Sequence, residues 1–171
     1  IEAALIAKNR APGLERSFSA QRWACVPAQA WMDAADEAMD REFDGAYEIW
    51  GGDIDPKAVA IARDNAVKAG VEDLIRFEVA DARAFRREAP YGRVVTNPPY
   101  GERIMEKREA EELYRAFGKA YRGLPPGWSL ALLSSHTEFE RTFGRTADKK
   151  RKLYNGMIKC DLFLYHKRER G

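Results

Sequence analysis

Stretches in which apolar residues recur at helical spacing alternate along the chain with short strand-like runs. Helices are predicted at residues 1–8, at about 27–41, from Pro56 to Ala69, around Leu113 to Tyr121 and, as a short element, up to about Phe143. Strands are predicted at Tyr47 to Trp50, Ile75 to Val79, Arg93 to Thr96 and Trp128 to Leu133. This alternation favours an α/β fold with a mostly parallel sheet.

End signals define two of these helices more closely. Asp55 and Pro56 supply an N-cap acid and a proline at the first helical position, and Gly70 suits a left-handed end. The sequence from Ser135 to Glu138 resembles a capping box, which predicts the start of the short helix. The buried stripe of the helix that begins at Pro56 is predicted to comprise Ala58, Ile61, Ala62, Ala66 and Ala69. The apolar stripe of the helix around Leu113 to Tyr121 is predicted to comprise Leu113, Ala116, Phe117, Ala120 and Tyr121.

The end of the chain differs in kind, because two strand-like runs between Lys150 and His166 flank the dipeptide Asn155-Gly156. That dipeptide readily supplies the two positive φ angles that a tight hairpin turn requires. An antiparallel C-terminal hairpin is therefore predicted to close the sheet.

Composition places the chain among single-domain globular proteins. Its 171 residues and 45% hydrophobic content suffice for one core, so a single domain over residues 1–171 is expected. The apolar runs are too short to cross a bilayer, and the N-terminus lacks the features of a signal peptide, which favours a cytoplasmic protein. Cys25 and Cys160 lie far apart and outside any Cys/His cluster, so no metal site is indicated.

Basic residues are bunched, although the net charge is only +2. Lys149, Lys150, Arg151 and Lys152 form one run at the start of the predicted hairpin. Charge alone does not establish nucleic-acid binding, and a solvated strand explains such a run equally well.

The most specific motif is VVTNPPY, which runs from Val94 to Tyr100 and leads a strand directly into an amide, two prolines and an aromatic ring. The side-chain oxygen of Asn97 and a main-chain carbonyl of Pro98 or Pro99 can accept both hydrogens of an exocyclic amine on a base. Tyr100 can stack on that base. An ordinary proline-rich turn is the alternative, but it explains Asn-Pro alone better than it explains the whole motif.

Acidic residues follow the two preceding strands. Asp53 comes after two glycines, where its carboxylate can accept both ribose hydroxyls of a nucleoside cofactor, and Ile54 can lie on the adenine face. Asp81 can accept from the adenine amino group, with Ala82 beside it at the same cofactor site. A simple turn is an equally good explanation of Asp81 taken alone.

Two other kinds of chemistry are less well supported by the sequence. A nicotinamide-dependent oxidoreductase would use a GxGxxG motif, which the chain lacks, and would leave the Asn97 to Tyr100 motif unexplained. His136 and His166 are expected to be surface or cap residues rather than catalysts.

The motifs together resemble those of the class I S-adenosylmethionine-dependent RNA methyltransferase family, in particular the bacterial large-subunit ribosomal RNA guanine-N2 methylases. The resemblance runs nearly end to end, through IEAA at residues 1–4, APG at 11–13, GDID at 52–55, NPPYGER at 97–103 and DKKRKLYNGMIKCD at 148–161. It implies a Rossmann-like class I methyltransferase sheet. Proteins with the NPPY motif are also often labelled adenine-specific DNA methylases, so DNA is an alternative substrate.

The resemblance implies methylation of an exocyclic amino group in RNA, most readily guanine N2 of ribosomal RNA. A non-catalytic RNA-binding module is the alternative of another class. The cofactor implied is S-adenosylmethionine, held by Asp53, Ile54, Asp81, Ala82 and Asn97. The residues implied to hold the target base are Asn97, Pro98, Pro99 and Tyr100. Those implied to lie near the RNA are Arg103, Lys149, Lys150, Arg151 and Lys152.

The chain departs from this family at its start. The Gly-rich loop that receives the methionine part of the cofactor, together with the strand before it, is expected upstream of Ile1. Without that strand, a gap in the sheet is expected between the strands that end at Trp50 and Thr96. The family's RNA-binding domain is also expected upstream. The isolated chain is therefore expected to be an N-terminally truncated catalytic domain with weak or no activity.

Overall fold

The computed structural model describes residues 1–100 and 107–167. Contacts divide the chain into two compact units, residues 1–79 and 80–171, each with its own sheet and its own buried core. The expectation that the chain is one domain stays a prediction. In the described part of the chain, no helix has the length and apolar character needed to cross a membrane.

The first unit contains a two-stranded parallel sheet. Its elements are α1 (Glu2–Ala7), α2 (Ala28–Asp40), β1 (Ile49–Asp53), α3 (Pro56–Lys68) and β2 (Ile75–Val79), with 3-10 turns at Ser19–Arg22 and Glu72–Leu74. β1 and β2 pair in register, with Asp53 opposite Val79 at their carboxyl ends. The buried core of this unit comprises Ala4, Ala66, Val71 and Ile75.

The ends of α3 are those that the sequence predicts, but its buried face differs. The Asp55 carboxylate accepts a hydrogen bond of 2.8 Å from a main-chain amide of the first turn, and Gly70 adopts a φ of +62°. Ile61 is 60% exposed, whereas Val59 and Ala66 are buried. The small side chains of this helix lie on several of its faces, so composition leaves the buried direction ambiguous and packing decides it.

β1 lies further towards the C-terminus than predicted, and its two glycines are inside the strand. Gly51 pairs with Phe77, and a Cβ atom on Gly51 would come within 2.9 Å of the Phe77 ring. Pairing with β2 and this close approach outweigh the low strand propensity of glycine. Asp53 is therefore the last residue of β1 rather than part of a following loop.

The second unit contains a four-stranded mixed sheet. Its elements are β3 (Tyr91–Thr96), α4 (Lys107–Arg122), β4 (Gly127–Ser134), α5 (Phe139–Phe143), β5 (Lys149–Asn155) and β6 (Ile158–Tyr165), after a 3-10 turn at Ala82–Ala84. The strand order is β3-β4-β6-β5, with β3 parallel to β4 and β6 antiparallel to both of its neighbours. The predicted α/β fold, with parallel strands and an antiparallel C-terminal hairpin, is confirmed.

Strand pairing is interrupted between β1 and β3. Among the strands within residues 1–100 and 107–167, β1 pairs only with β2, and β3 pairs only with β4 and not with any strand of the first unit. The gap that the sequence analysis expects between these two strands stays a prediction.

An aromatic core joins α4 and α5 to the sheet of the second unit. The Phe139 ring lies 4.5 Å from the Phe163 ring and 5.0 Å from the Tyr114 ring, measured between centroids. α4 buries Tyr114 and Gly118 as well as the predicted Phe117. Its buried face therefore includes a tyrosine that the sequence analysis does not place in the apolar stripe.

The predicted capping box from Ser135 to Glu138 is wrong, although the short helix ends at Phe143 as predicted. α5 begins at Phe139, and its N-cap residue makes no side-chain cap hydrogen bond. The Glu138 amide instead donates to Nδ1 of His136 at 3.2 Å. A buried side chain of the preceding loop thus takes over the role of the cap.

The hairpin forms where the sequence predicts it, but its turn lies one residue further along. Asn155 pairs with Ile158 at the end of the ladder, so Gly156 and Met157 form the turn. Gly156 has a φ of +61°, whereas Asn155 keeps a negative φ as a strand residue. Its side chain is thereby free to reach Tyr100, with Nδ2 3.5 Å from the Tyr100 hydroxyl.

We predict that Gly118→Ala strongly destabilises the second unit. A Cβ atom at position 118 would lie 2.1 Å from the main-chain oxygen of Phe143, so α4 and α5 would have to move apart. The expected loss is about 2–3 kcal/mol in the free energy of unfolding, even though alanine favours a helix over glycine by about 1 kcal/mol. Urea unfolding followed by circular dichroism measures it.

Gly156→Ala is the matched control. A Cβ atom there meets no other atom within 4 Å, so its cost comes from the positive φ alone and is expected to be about 1 kcal/mol. Equal losses in the two variants would show that the approach of α4 to α5 is not tight.

Candidate active site

The turn that follows β3 forms a small polar cluster. β3 ends at Thr96, and residues 97–100 follow directly. The Tyr100 hydroxyl donates a hydrogen bond to Oδ1 of Asn97, and Nδ2 of Asn155 approaches the same hydroxyl from the hairpin. The structure therefore brings two of the predicted catalytic residues together and orients the Asn97 amide through its oxygen.

A buried tyrosine of α4 anchors the same turn. The Tyr114 hydroxyl donates to the Pro99 carbonyl at 2.6 Å and lies 3.2 Å from Oγ of Ser134. Sequence reasoning missed Tyr114. The signal was available, because Tyr114 lies one helical turn before Phe117 and two turns before Tyr121, and both of those residues belong to the predicted stripe.

Two acceptors of the turn remain open to a ligand. The Pro99 carbonyl is engaged by Tyr114. Within the described residues the Pro98 carbonyl has no hydrogen-bond donor, and the amide oxygen of Asn97 has a second lone pair beyond the one that Tyr100 uses. The two open acceptors belong to the consecutive residues Asn97 and Pro98, and their joint binding of an amine stays a prediction.

Both tyrosines of this cluster are held in their neutral form. Burial raises the pKa of Tyr114, which outweighs the opposing effect of its contact with Ser134. Burial is also the largest cause of the raised pKa of Tyr100, and the hydrogen bond from Asn155 opposes it. Each phenol therefore stays a hydrogen-bond donor throughout the neutral pH range.

Asp81 already has partners in the structure. Its carboxylate accepts from the Arg83 amide at 2.8 Å, as the cap of the 3-10 turn that begins at Ala82, and from Nε of Arg83 at 2.7 Å. The side-chain hydrogen bond from Arg83 is the main cause of the lowered pKa of Asp81, so this carboxylate is ionised at neutral pH. The turn role is observed, and a cofactor role for Asp81 and Ala82 stays a prediction.

Asp53 presents an exposed carboxylate at the carboxyl end of β1. One of its oxygens, Oδ1, accepts the Asp55 amide at 2.9 Å, which leaves Oδ2 without a donor among the described residues. Ile54 is 61% exposed beside it. An available carboxylate oxygen next to an exposed apolar side chain suits the predicted binding of a nucleoside.

The predicted cofactor residues fall in different units. Asp53 and Ile54 belong to residues 1–79, whereas Asp81, Ala82 and Asn97 belong to residues 80–171. Within the second unit, the Asp81 carboxylate is paired with Arg83. Their assembly into one cofactor site stays a prediction.

The basic run of the hairpin has two distinct faces. Strand alternation places Lys150 on the face of its cross-strand neighbour Phe163, and Lys149 and Arg151 on the other face. Lys150 donates to Glu140 at 2.7 Å, and its ammonium lies 6.0 Å from the centre of the Phe163 ring. Lys150 therefore helps to hold β5 against α5, which the sequence analysis did not foresee.

The remaining predicted nucleic-acid residues are Lys152 and Arg103. Lys152 is exposed and lies opposite Asp161 across the hairpin, so a carboxylate shares its surroundings. Arg103 lies outside the described residues. Lys149 and Arg151 are exposed and lie opposite Leu164 and Leu162, and their contact with RNA stays a prediction.

The two histidines have different surroundings. His166 is exposed, as predicted. His136 acts as a cap, which is one of the two roles expected for it, and it is only 8% exposed and packs edge-on against Tyr114. Its Nε2 atom lies 3.3 Å from a Glu111 oxygen. Among the residues that the structure describes, there is no group of three or more side chains that could hold a metal ion.

A comparison with known families decides what kind of domain this is. The model of the RMKL-like methyltransferase domain matches residues 1–163. This chain belongs to that family. The resemblance to a methyltransferase family, which the NPPY motif indicates, is thereby confirmed over nearly the whole chain.

Two relatives illustrate the similarity. YpsC of Bacillus subtilis, whose name proposes an RNA methyltransferase, is 42% identical over 166 residues, or 96% of this chain and 43% of that protein. Ribosomal RNA large subunit methyltransferase K/L of Shewanella baltica is 39% identical over 170 residues, or 96% of this chain and 24% of that protein. The chain thus spans less than half the length of these relatives.

Solved structures share the fold. A protein described as a proposed methyltransferase in complex with SAH has a TM-score of 0.95 at 37% identity, over 99% of this chain and 45% of that protein. A Listeria monocytogenes protein described as a predicted N6-adenine-specific DNA methylase has a TM-score of 0.87 at 45% identity, over 96% of this chain and 42% of that protein. The class I methyltransferase fold is confirmed by these similarities.

We predict that Lys150→Met lowers the stability of the second unit in a pH-dependent way. Burial opposes the ionisation of Glu140, but hydrogen bonds from Lys150 and the Ala147 amide outweigh it and lower the Glu140 pKa. A carboxylate with a lowered pKa stabilises the fold above the ordinary value of 4.5, and that contribution is lost as the pH falls through the lowered value. The melting temperature should therefore drop by a few degrees at pH 7.

Thermal unfolding of both proteins from about pH 3 to about pH 8, a range that includes the titration of the carboxylate, measures the difference in melting temperature. The gap between Lys150→Met and the parent should shrink as the pH falls. Lys149→Met removes the same charge from the other face of β5 and should leave the melting temperature nearly unchanged. A pH-independent loss in Lys150→Met would mean that its packing on Phe163, rather than its ion pair, carries the effect.

Proposed function

We propose that this chain is the methyl-transfer domain of an enzyme that uses S-adenosylmethionine to methylate an exocyclic amino group of a base in RNA. Guanine N2 of ribosomal RNA is the target that we favour. The observation that carries the proposal is the turn after β3, where Asn97 and Pro98 offer two open oxygen acceptors and Tyr100 lies beside them.

The chemistry of an exocyclic amine explains why acceptors matter there. Its lone pair is delocalised into the base. Positive charge would build on the nitrogen as the N–C bond forms and the bond between the methyl group and the sulfonium sulfur breaks, which would release S-adenosylhomocysteine. Oδ1 of Asn97 and the Pro98 carbonyl would accept the two N–H hydrogens, direct the lone pair towards the methyl donor and stabilise the developing cation. The amine then releases one proton to water. Such a site needs accurate positioning rather than a strong base.

The chain also offers suitable groups for the cofactor. S-adenosylmethionine supplies an electrophilic methyl group on a sulfonium. Asp53, with one carboxylate oxygen open at the end of β1, would accept the ribose hydroxyls, and the exposed Ile54 would lie against the adenine. Asp81 and Ala82 would meet the adenine edge, provided that the Asp81 carboxylate shares its hydrogen-bonding capacity between Arg83 and the ligand.

RNA is favoured as the substrate for two reasons. The two relatives compared are named for RNA and ribosomal RNA, and the exposed strand β5 carries a cluster of cations. A ribosomal RNA substrate also agrees with the cytoplasmic location that the sequence predicts. The Listeria similarity keeps adenine-specific DNA methylation as the second candidate, because the same acceptors suit an adenine amino group.

We predict that Asn97→Ala lowers the rate of methyl transfer by about 100- to 1,000-fold, because one of two acceptors for the developing cation is lost. The assay uses the chain extended upstream through the Gly-rich loop expected from the family resemblance. Tritiated S-adenosylmethionine is supplied with unmodified large-subunit ribosomal RNA or with duplex DNA, and mass spectrometry of the nucleosides identifies the product.

Asn65→Ala, an exposed change in α3, is the matched control and should keep full activity. Methylguanosine in RNA is the expected product. Methyladenine in DNA would overturn the RNA assignment, and full activity of Asn97→Ala would overturn the mechanism. A protein that binds RNA but transfers no methyl group to either substrate would favour the non-catalytic alternative.

We predict that Lys149→Gln combined with Arg151→Gln weakens RNA binding, because these two cations are exposed and lie on the face of β5 opposite to that of Lys150. Loss of two phosphate contacts should reduce the slope of log affinity against log salt concentration by roughly 1.5–2. Lys150→Gln should change affinity far less, because its ammonium is bound to Glu140. Fluorescence anisotropy at several salt concentrations measures both, and equal effects of the two variants would contradict this division of the run.

A further inference from the structure

We infer that Tyr114 is a positioning residue for methyl transfer, whose hydroxyl holds the Pro99 carbonyl and thereby fixes the turn that carries Asn97 and Tyr100. The inference rests on the proposed function, and it concerns a residue that does not itself touch the base. Tyr114 acts through the main chain of the turn.

The proline-rich turn needs an external donor. Neither Pro98 nor Pro99 has a main-chain N–H, so neither residue can donate a main-chain hydrogen bond that would hold this part of the turn. A carbonyl that is removed from water requires a donor, and the Tyr114 hydroxyl supplies one at 2.6 Å. Without that donor, the Pro99 peptide could rotate and carry the neighbouring acceptors away from the base.

The Tyr114 ring is itself held on several sides. Its exposed fraction is 0%, and the rings of His136 and Phe139 pack edge-on against it at 5.6 and 5.0 Å between centroids. The ring therefore has little freedom to turn the hydroxyl away from Pro99. A rigid aromatic stem with a single polar tip places that donor more accurately than a flexible side chain would.

Only one assignment of donors and acceptors is consistent with the hydrogen bonds around Tyr114. The His136 amide donates to Oγ of Ser134 at 3.1 Å, and the single proton of the Tyr114 hydroxyl is given to Pro99. In the 3.2 Å contact between the two hydroxyls, Ser134 must therefore be the donor and Tyr114 the acceptor. This chain of hydrogen bonds links the carboxyl end of β4 to the turn after β3, and each bond polarises the next.

The consequence for catalysis follows from the sensitivity of positioned reactions. A displacement of about 1 Å in a reacting group can cost roughly 100-fold in rate. Asn97 lies two residues from the Pro99 carbonyl that Tyr114 holds. Loss of the Tyr114 hydroxyl should therefore lower kcat much more than it weakens the binding of either substrate.

The test compares Tyr114→Phe with Tyr121→Phe in the extended protein used for the Asn97 assay. Both changes remove one buried hydroxyl from α4, but the Tyr121 hydroxyl donates to the Trp128 carbonyl at 3.3 Å, away from the turn. We expect kcat to fall about 10- to 100-fold in Tyr114→Phe, with the KM for RNA and the affinity for S-adenosylhomocysteine within about twofold of the parent. Tyr121→Phe should keep kcat.

A second readout does not depend on activity. The protein is labelled with 3-fluorotyrosine, and the fluorine resonance of Tyr100 is assigned by its disappearance in Tyr100→Phe. If Tyr114 holds the turn, this resonance should shift or broaden in Tyr114→Phe and stay in place in Tyr121→Phe. A purely structural role of Tyr114 would lower the melting temperature without this selective change.

The outcomes separate the two proposals. An unmoved Tyr100 resonance together with unchanged kcat in Tyr114→Phe would overturn the positioning role, while methyl transfer by the parent protein would still support the proposed function. No transfer by the parent protein to RNA or DNA would overturn the proposed function, whatever the fluorine spectrum shows. An equal loss of kcat in Tyr121→Phe would also overturn the positioning role, because the effect would then be one of stability.

Discussion

Close packing of α4 against α5 and the sheet of the second unit fixes the surroundings of the candidate active site. At Gly118 the helix approaches the main chain of Phe143 so closely that no side chain fits between them. The same face of α4 presents Tyr114 to the Pro99 carbonyl. A change in the distance between α4 and α5 would therefore move the turn after β3, because the Pro99 carbonyl of that turn is hydrogen-bonded to Tyr114 of α4.

The division between scaffold and chemistry follows the sheet. β3 and β4 run parallel, and the polar groups that follow them, Asn97 after β3 and Ser134 at the end of β4, lie at their carboxyl ends. The aromatic core on one face of the sheet supplies rigidity, and the hydroxyls of Tyr114 and Ser134 pass it on to the turn. This arrangement suits a reaction that depends on orientation more than on acid or base strength.

Much of the fold and of the candidate site could be predicted from the sequence, because strand ends and helix caps are local features. Asp55 as a cap, the α/β alternation and the NPPY turn are all read within a few residues. Contacts between distant residues are different, since periodicity indicates burial but not the hydrogen-bond partner. Tyr114 with Pro99, Lys150 with Glu140 and Asn155 with Tyr100 are all of this kind. The predicted burial of Ile61 is wrong for a related reason. Small side chains lie on several faces of α3, so the sequence does not show which face packs against the sheet.

The interruption of strand pairing has a consequence for the behaviour of the chain in concentrated solution. Among the strands of residues 1–100 and 107–167, β3 lies at one edge of the sheet of the second unit, and its side chains Tyr91 and Val95 are each 76% exposed. An edge of this kind lacks the lysines and prolines that commonly prevent strands of separate molecules from joining, apart from the single cation Arg93. Self-association through β3 would therefore compete with correct folding, and added charge at Val95 is the simplest way to suppress it.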